Sequence, residues 1–130
     1  MSTLFKYKFK EVKKGRKMTV GIDFCIANTY KEAAKSQTYV KFDEKIHQYL
    51  FRKEQDTGRK LSLLTGLDPY GDKLFSQQEI LELVTICDIL LSEYRKGEIL
   101  DQKIRKFAKE LKLLCGDAIS QGKQIFAAGD

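Results

Sequence analysis

Rings and ammonium groups alternate near the start of the chain. In residues 4–12, LFKYKFKEV, an extended backbone places Phe5, Tyr7 and Phe9 on one side and Lys6, Lys8 and Lys10 on the other. That period of two predicts a half-buried strand. After KKGR, residues 13–16, the alternation returns with Met18, Val20, Ile22, Phe24 and Ile26 on one face and Thr19, Gly21, Asp23 and Cys25 on the other. Gly15 suits a turn that needs a positive φ, so the two runs predict an antiparallel hairpin.

Between residues 28 and 60 the pattern is weaker. TYKE at 29–32 has the spacing of a capping box, which predicts one or two helical turns before the sequence turns polar. Phe42, Ile46, Tyr49, Leu50 and Lys53 recur at helical spacing behind Asp43, a residue suited to a cap. IHQYLF also alternates as a strand would, but a helix over roughly 43–55 accounts for more positions. Gly58, in DTGRK, is suited to the left-handed position that ends a helix.

The strongest periodic signal begins at Ser76. SQQE is a capping box: the serine oxygen accepts from the Glu79 N–H and the Glu79 carboxylate reaches back to the Ser76 N–H, with Phe75 and Ile80 as flanking staple residues. Ile80, Leu83, Val84, Cys87, Leu90, Leu91 and Tyr94 then form an apolar stripe. Arg95 and Lys96 are expected in the last turn, and Gly97 as the stop.

A second helix is expected almost at once, with Glu98 and Asp101 in its first turn and Leu100, Ile104, Phe107, Ala108, Leu111, Leu114 and Cys115 on one face. The short link predicts an antiparallel pair. Lys103, Lys106, Lys109 and Lys112, with Glu110 between them, fall on the outer face, and Gly116 or Gly122 marks the end. KQIFAAGD is expected to close the chain as an edge strand. These elements predict one α+β domain over residues 1–130, an N-terminal antiparallel hairpin or small sheet packed on a C-terminal antiparallel helix pair.

Composition agrees with a single folded unit: 130 residues, 42% apolar, 32% charged and one proline. No apolar run approaches the roughly 18 residues that cross a bilayer, and the lysine-studded N-terminus lacks the unbroken apolar stretch of a signal peptide, so a cytoplasmic protein with no membrane span is expected. Cys25, Cys87 and Cys115 are odd in number and widely spaced. They read as reduced thiols, the two on helical faces as buried apolar groups.

Charge is uneven along the chain. Residues 1–60 hold 15 Lys and Arg against 7 Asp and Glu, whereas residues 61–130 hold 9 against 11. A basic N-terminal half favours acidic partners of several classes, among them nucleic acid, anionic membrane surfaces and acidic proteins. Lys6, Lys8, Lys10, Lys13, Lys14 and Arg16 are the candidate phosphate contacts. Sheets that bind single strands need rings and cations on one exposed face, however, and the alternation here separates them, which favours rings in the core and lysines in water. The lysine face of the last helix is likewise read first as a solvated surface.

DPYGD, residues 68–72, is the second candidate. Pro69 fixes φ for a tight turn, Asp68 can accept from the backbone two residues on, and Gly71 tolerates conformations that other residues avoid. Beyond this corner, Asp68, Tyr70 and Asp72 could form a recognition loop, because an amphipathic ring beside fixed polar groups makes a good contact anchor. Two carboxylates alone do not make an EF-hand, so no metal site is assigned. The single histidine, His47, has no nucleophile or acid at motif spacing, and no phosphate-binding, dinucleotide, nucleophile-elbow or zincin motif is present. No catalytic residue and no cofactor is expected.

LLTGLDPYGDKLFSQQEILEL, residues 63–83, resembles a segment of small uncharacterised bacterial proteins in which a DPYGD turn leads into a capped amphipathic helix and the chain closes on Gly-Asp, here Gly129 and Asp130. The likeness covers about a sixth of the chain plus that terminus. Some proteins of this style are immunity or antitoxin partners of bacterial toxins. The resemblance thus implies a non-enzymatic protein-binding role with a toxin as partner; the alternative is a nucleic-acid-associated accessory protein using the basic hairpin. Nuclease inhibitors of this kind tend to be acidic and this chain is basic, so an immunity role implies an acidic target or contact through the C-terminal half.

Overall fold

A computed structural model describes residues 20–57 and 61–129. In chain order the elements are β1 (Gly21–Ile26), α1 (Tyr30–Lys35), β2 (Val40–Asp43), α2 (Glu44–Thr57), α3 (Ser62–Thr65), β3 (Asp72–Phe75), α4 (Gln77–Glu93), α5 (Ile99–Gln121) and β4 (Ile125–Ala128). Among the described residues the strands form one antiparallel sheet in the order β2-β1-β4-β3. The architecture is α+β, with a packed antiparallel pair of C-terminal helices, as the periodicities predicted.

The two central strands, β1 and β4, are buried on both sides. Ile22, Phe24, Val40, Phe42, Phe75, Ile125 and Ala127 point into the main core, where they meet Ile46 and Leu50 of α2, Leu64 of α3 and the buried stripes of α4 and α5. Cys25, Ala27, Phe126 and Ala128 point the other way and meet Tyr30 and Ala33 of α1. Rings dominate the centre: Phe42 stacks on Phe107 at 4.6 Å between centroids, and Phe24 lies 5.9 Å from Phe75. Large buried rings of this kind supply much of a small domain's apolar burial.

β1 keeps the expected alternation, but its neighbours are β2 and β4. The expected first strand, residues 4–12, lies outside the described residues, as do Gly15 and the hairpin connection. KQIFAAGD is a strand, but an interior one rather than an edge: β4 lies between β1 and β3, extended by the Ala27 N–H donating to Gln124 O at 3.0 Å. All four residues of β4 are apolar because both of its faces are covered. β2 and β3, four residues each, enlarge the small sheet at positions that the sequence pattern did not mark.

The helices follow their local signals. Thr29 caps α1 by accepting from the Glu32 N–H, while the Glu32 carboxylate accepts from Asn28, one residue earlier than a full capping box requires. Residues 44–57 are helical rather than extended, and Asp43 accepts from the Lys45 N–H at 2.7 Å. Both halves of the Ser76 capping box are present, at 3.2 and 3.0 Å. Ile86 joins the expected stripe of α4 in the core.

Helix α4 stops at Glu93, so Arg95 and Lys96 belong to the link and not to its last turn. There the Lys96 N–H donates to the Asp101 carboxylate at 3.0 Å, and Gly97 takes a φ of 83°. Of the two glycines expected to end α5, Gly122 does so in the left-handed conformation, whereas Gly116 lies inside the helix.

Candidate functional site

The DPYGD segment folds as a corner fixed from two directions. Within it, Asp68 Oδ1 accepts from the Tyr70 N–H at 2.9 Å and the Asp68 carbonyl from the Gly71 N–H at 3.2 Å, which closes a local turn around Pro69. From outside, the Gly129 N–H donates to the Gly71 carbonyl at 2.7 Å. Asp72 is then the first residue of β3, opposite Ala128. The corner is therefore tied to β4 and to Gly129 beyond it.

Glu54 fixes a neighbouring stretch. One carboxylate oxygen accepts from the Leu61 N–H at 2.8 Å and the other from the Thr65 hydroxyl at 2.5 Å, so α2 holds α3 in place. His47 ties the same two elements. Its Nε2 lies 2.7 Å from the Thr65 carbonyl, and a carbonyl only accepts, so Nε2 carries the proton. The imidazole also stacks on Phe42 at 4.7 Å. His47 is thus a buried packing residue.

Between α2 and the corner lies an open cleft of about 330 Å³ lined by Glu44, His47, Gln48, Phe51, Arg52, Pro69 and Tyr70. Glu44, Gln48, Phe51 and Arg52 share one face of α2, at the helical spacings i, i+4, i+7 and i+8. His47 forms part of the buried floor, and Pro69 and Tyr70 stand opposite. Tyr70 is 68% exposed and Phe51 is 47% exposed, although both are large rings. The cleft offers two aromatic walls, one carboxylate and one guanidinium on supports that are themselves hydrogen-bonded. That arrangement suits a protruding side chain of another molecule.

No family model, no curated protein and no solved structure matches the chain.

Of the three residues singled out in the corner, Tyr70 lines the cleft, whereas Asp68 spends its carboxylate on the turn. Asp68 and Asp72 meet around a much smaller pocket of about 20 Å³ that also has Lys73 among its walls. Among the described residues no three His, Cys, Asp or Glu side chains are grouped to hold a metal ion. Lys6, Lys8, Lys10, Lys13, Lys14 and Arg16 lie outside the described residues. Phe51 was missed in the sequence, although it left a signal there: it is an aromatic on the polar face of α2, outside the stripe of Ile46, Tyr49 and Leu50.

The thiols are all buried and free. Burial pushes Cys25 up to about 11 and Cys87 and Cys115 up to about 12. All three therefore stay protonated and unreactive at neutral pH. No described helix is long and apolar enough to cross a membrane.

Proposed function

We propose that this chain is a non-enzymatic protein-binding domain whose contact surface is the cleft between α2 and the 68–72 corner, with Tyr70 and Phe51 as anchors. The observation that carries this reading is the exposure of Tyr70 on a corner fixed by Asp68 and Gly129, beside a second exposed ring. A preorganised aromatic loses little entropy on binding, and such residues dominate interface energetics. Glu44 and Arg52 flank the rings and would fix the orientation of the partner.

The specific role we propose is that of an immunity or antitoxin-like partner of a bacterial toxin, acting in the cytoplasm. It rests on the resemblance of residues 63–83. The net charge of +6 suits a target surface that is acidic. The test is affinity capture with the wild-type chain, Tyr70→Ala and Phe51→Ala in parallel. The reading expects a protein retained by the wild type and lost from both variants, with melting temperatures unchanged. Identical retention by all three would remove the cleft from the account.

The uneven charge favours one second reading, nucleic-acid association through Lys6, Lys8, Lys10, Lys13, Lys14 and Arg16. It expects retention on nucleic acid that falls steeply with salt and is lost on Lys8→Glu with Lys10→Glu. No retention at low salt would eliminate it.

A further inference from the structure

The outward face of α5 carries features that the rest of the described residues do not use. Gly116 lies in the interior of this 23-residue helix, yet beyond the helix's own backbone no atom of the described residues lies within 4 Å of where its Cβ would stand. Glycine is the weakest helix former after proline, and packing among the described residues gives no reason for it here. One turn earlier, Leu113 is 71% exposed. Lys109 lies four residues before Leu113 and Asp117 four residues after, so both flank it on the same face. Neither makes an ion pair with any other described residue.

We infer that α5 pairs with α5 of a second copy of this chain, antiparallel, about a two-fold axis passing beside Leu113. The register decides which groups meet. A two-fold axis at residue 113 places position 113 − n opposite 113 + n of the other copy. Leu113 then packs on Leu113, Lys109 stands opposite Asp117 of the second copy and Asp117 opposite its Lys109. The contact is self-complementary in charge, as an isologous interface must be. Gly116 lies beside the incoming Lys109, where the absence of a side chain leaves room for the lysine stem to cross to the carboxylate.

Adjacent charge does not oppose the contact. Lys112 is neutralised within its own chain by Asp88 of α4, at 2.7 Å, and Lys106 falls opposite Ser120. A polyanion fits the face less well, because Glu110 and Asp117 interrupt its lysines and would repel phosphates, whereas a two-fold contact uses both signs. One helix face per copy is a small interface, so the dimer is a weak one, with a dissociation constant on the order of 10–100 µM.

Sedimentation equilibrium over a wide concentration range tests the pairing. The wild type is expected to move from one to two chain masses between micromolar and millimolar concentration. Leu113→Asp should stay monomeric at every concentration, with unchanged circular dichroism. Lys109→Asp and Asp117→Lys should each weaken association by about fivefold or more, since each places like charges together twice per dimer. Combining the two should restore it, because the pairs are re-formed with signs exchanged. A wild type monomeric at 1 mM would overturn the inference. So would a dimer indifferent to Leu113→Asp, a double reversal weaker than either single change, or a monomer that binds duplex DNA through Lys106 and Lys109.

Discussion

Gly129 rests on Pro69. A Cβ on Gly129 would stand 2.5 Å from the Pro69 carbonyl oxygen and 2.5 Å from that of Gly71, closer than such atoms approach, and both obstacles are backbone. The last turn of sequence and the DPYGD corner are in effect one unit, although about 60 residues separate them.

Gly129→Ala should therefore push the corner away from β4. The expected loss is about 1–3 kcal/mol, the usual range for overpacking at a rigid contact. Thermal melting measures it. Because Tyr70 is carried on the same corner, this variant should also weaken partner binding, whereas an equally destabilising change in α1 should not.

Glu54 receives the Leu61 N–H and the Thr65 hydroxyl on separate oxygens. Glu54→Ala leaves both donors without that partner and should cost about 1–3 kcal/mol in urea unfolding. Glu54→Gln keeps one carbonyl acceptor and should fall between the two.

Ser76 and Glu79 cap α4 reciprocally. Ser76→Ala should cost about 1 kcal/mol. The Ser76 backbone N–H, and after it the Lys73 ammonium 3.1 Å away, hold the Glu79 carboxyl below its ordinary value. A carboxyl depressed in the folded state contributes stability above its unfolded pKa and loses it as pH falls through the folded one. Acidification below about pH 4.5 should thus destabilise the wild type more than Glu79→Gln.

The three thiols act at the other end of the pH scale. Their values are raised on folding from an ordinary 9.0 to about 11 or 12, so the folded chain keeps protons that the unfolded chain gives up. Their contribution is complete below pH 9 and declines as pH rises from there toward 12. Melting temperature should fall over that window, with a shallower slope in a variant carrying Cys87→Ala and Cys115→Ala. Ellman's reagent at pH 8 should find no reactive thiol until denaturant is added.

What was legible in the sequence is what is local. The α4 helix could be read from Ser76, Glu79 and the Ile80–Leu90 stripe, because capping and periodicity act within a few turns. The α5 face from Ile104 to Cys115 could be read for the same reason. VKFD and DKLF could not, since four residues carry too few alternations to separate a strand from a loop, and their stability comes from neighbours. IFAA looked like an edge because its sequence does not show that β1 and β3 flank it. The turn chemistry of Asp68, Pro69 and Gly71 was visible. The approach of Tyr70 to Phe51 was not, because it depends on how α2 docks beside the corner.

Site-specific photo-crosslinking tests the cleft most directly. A benzophenone amino acid placed at position 70 should give one discrete adduct with a partner protein in cells that natively express the chain. The adduct should vanish on Phe51→Ala, and the same probe at Leu81, an exposed position on α4, should give none. Equal adducts from positions 70 and 81, or an adduct at 70 that survives Phe51→Ala, would contradict a contact surface centred on these two rings.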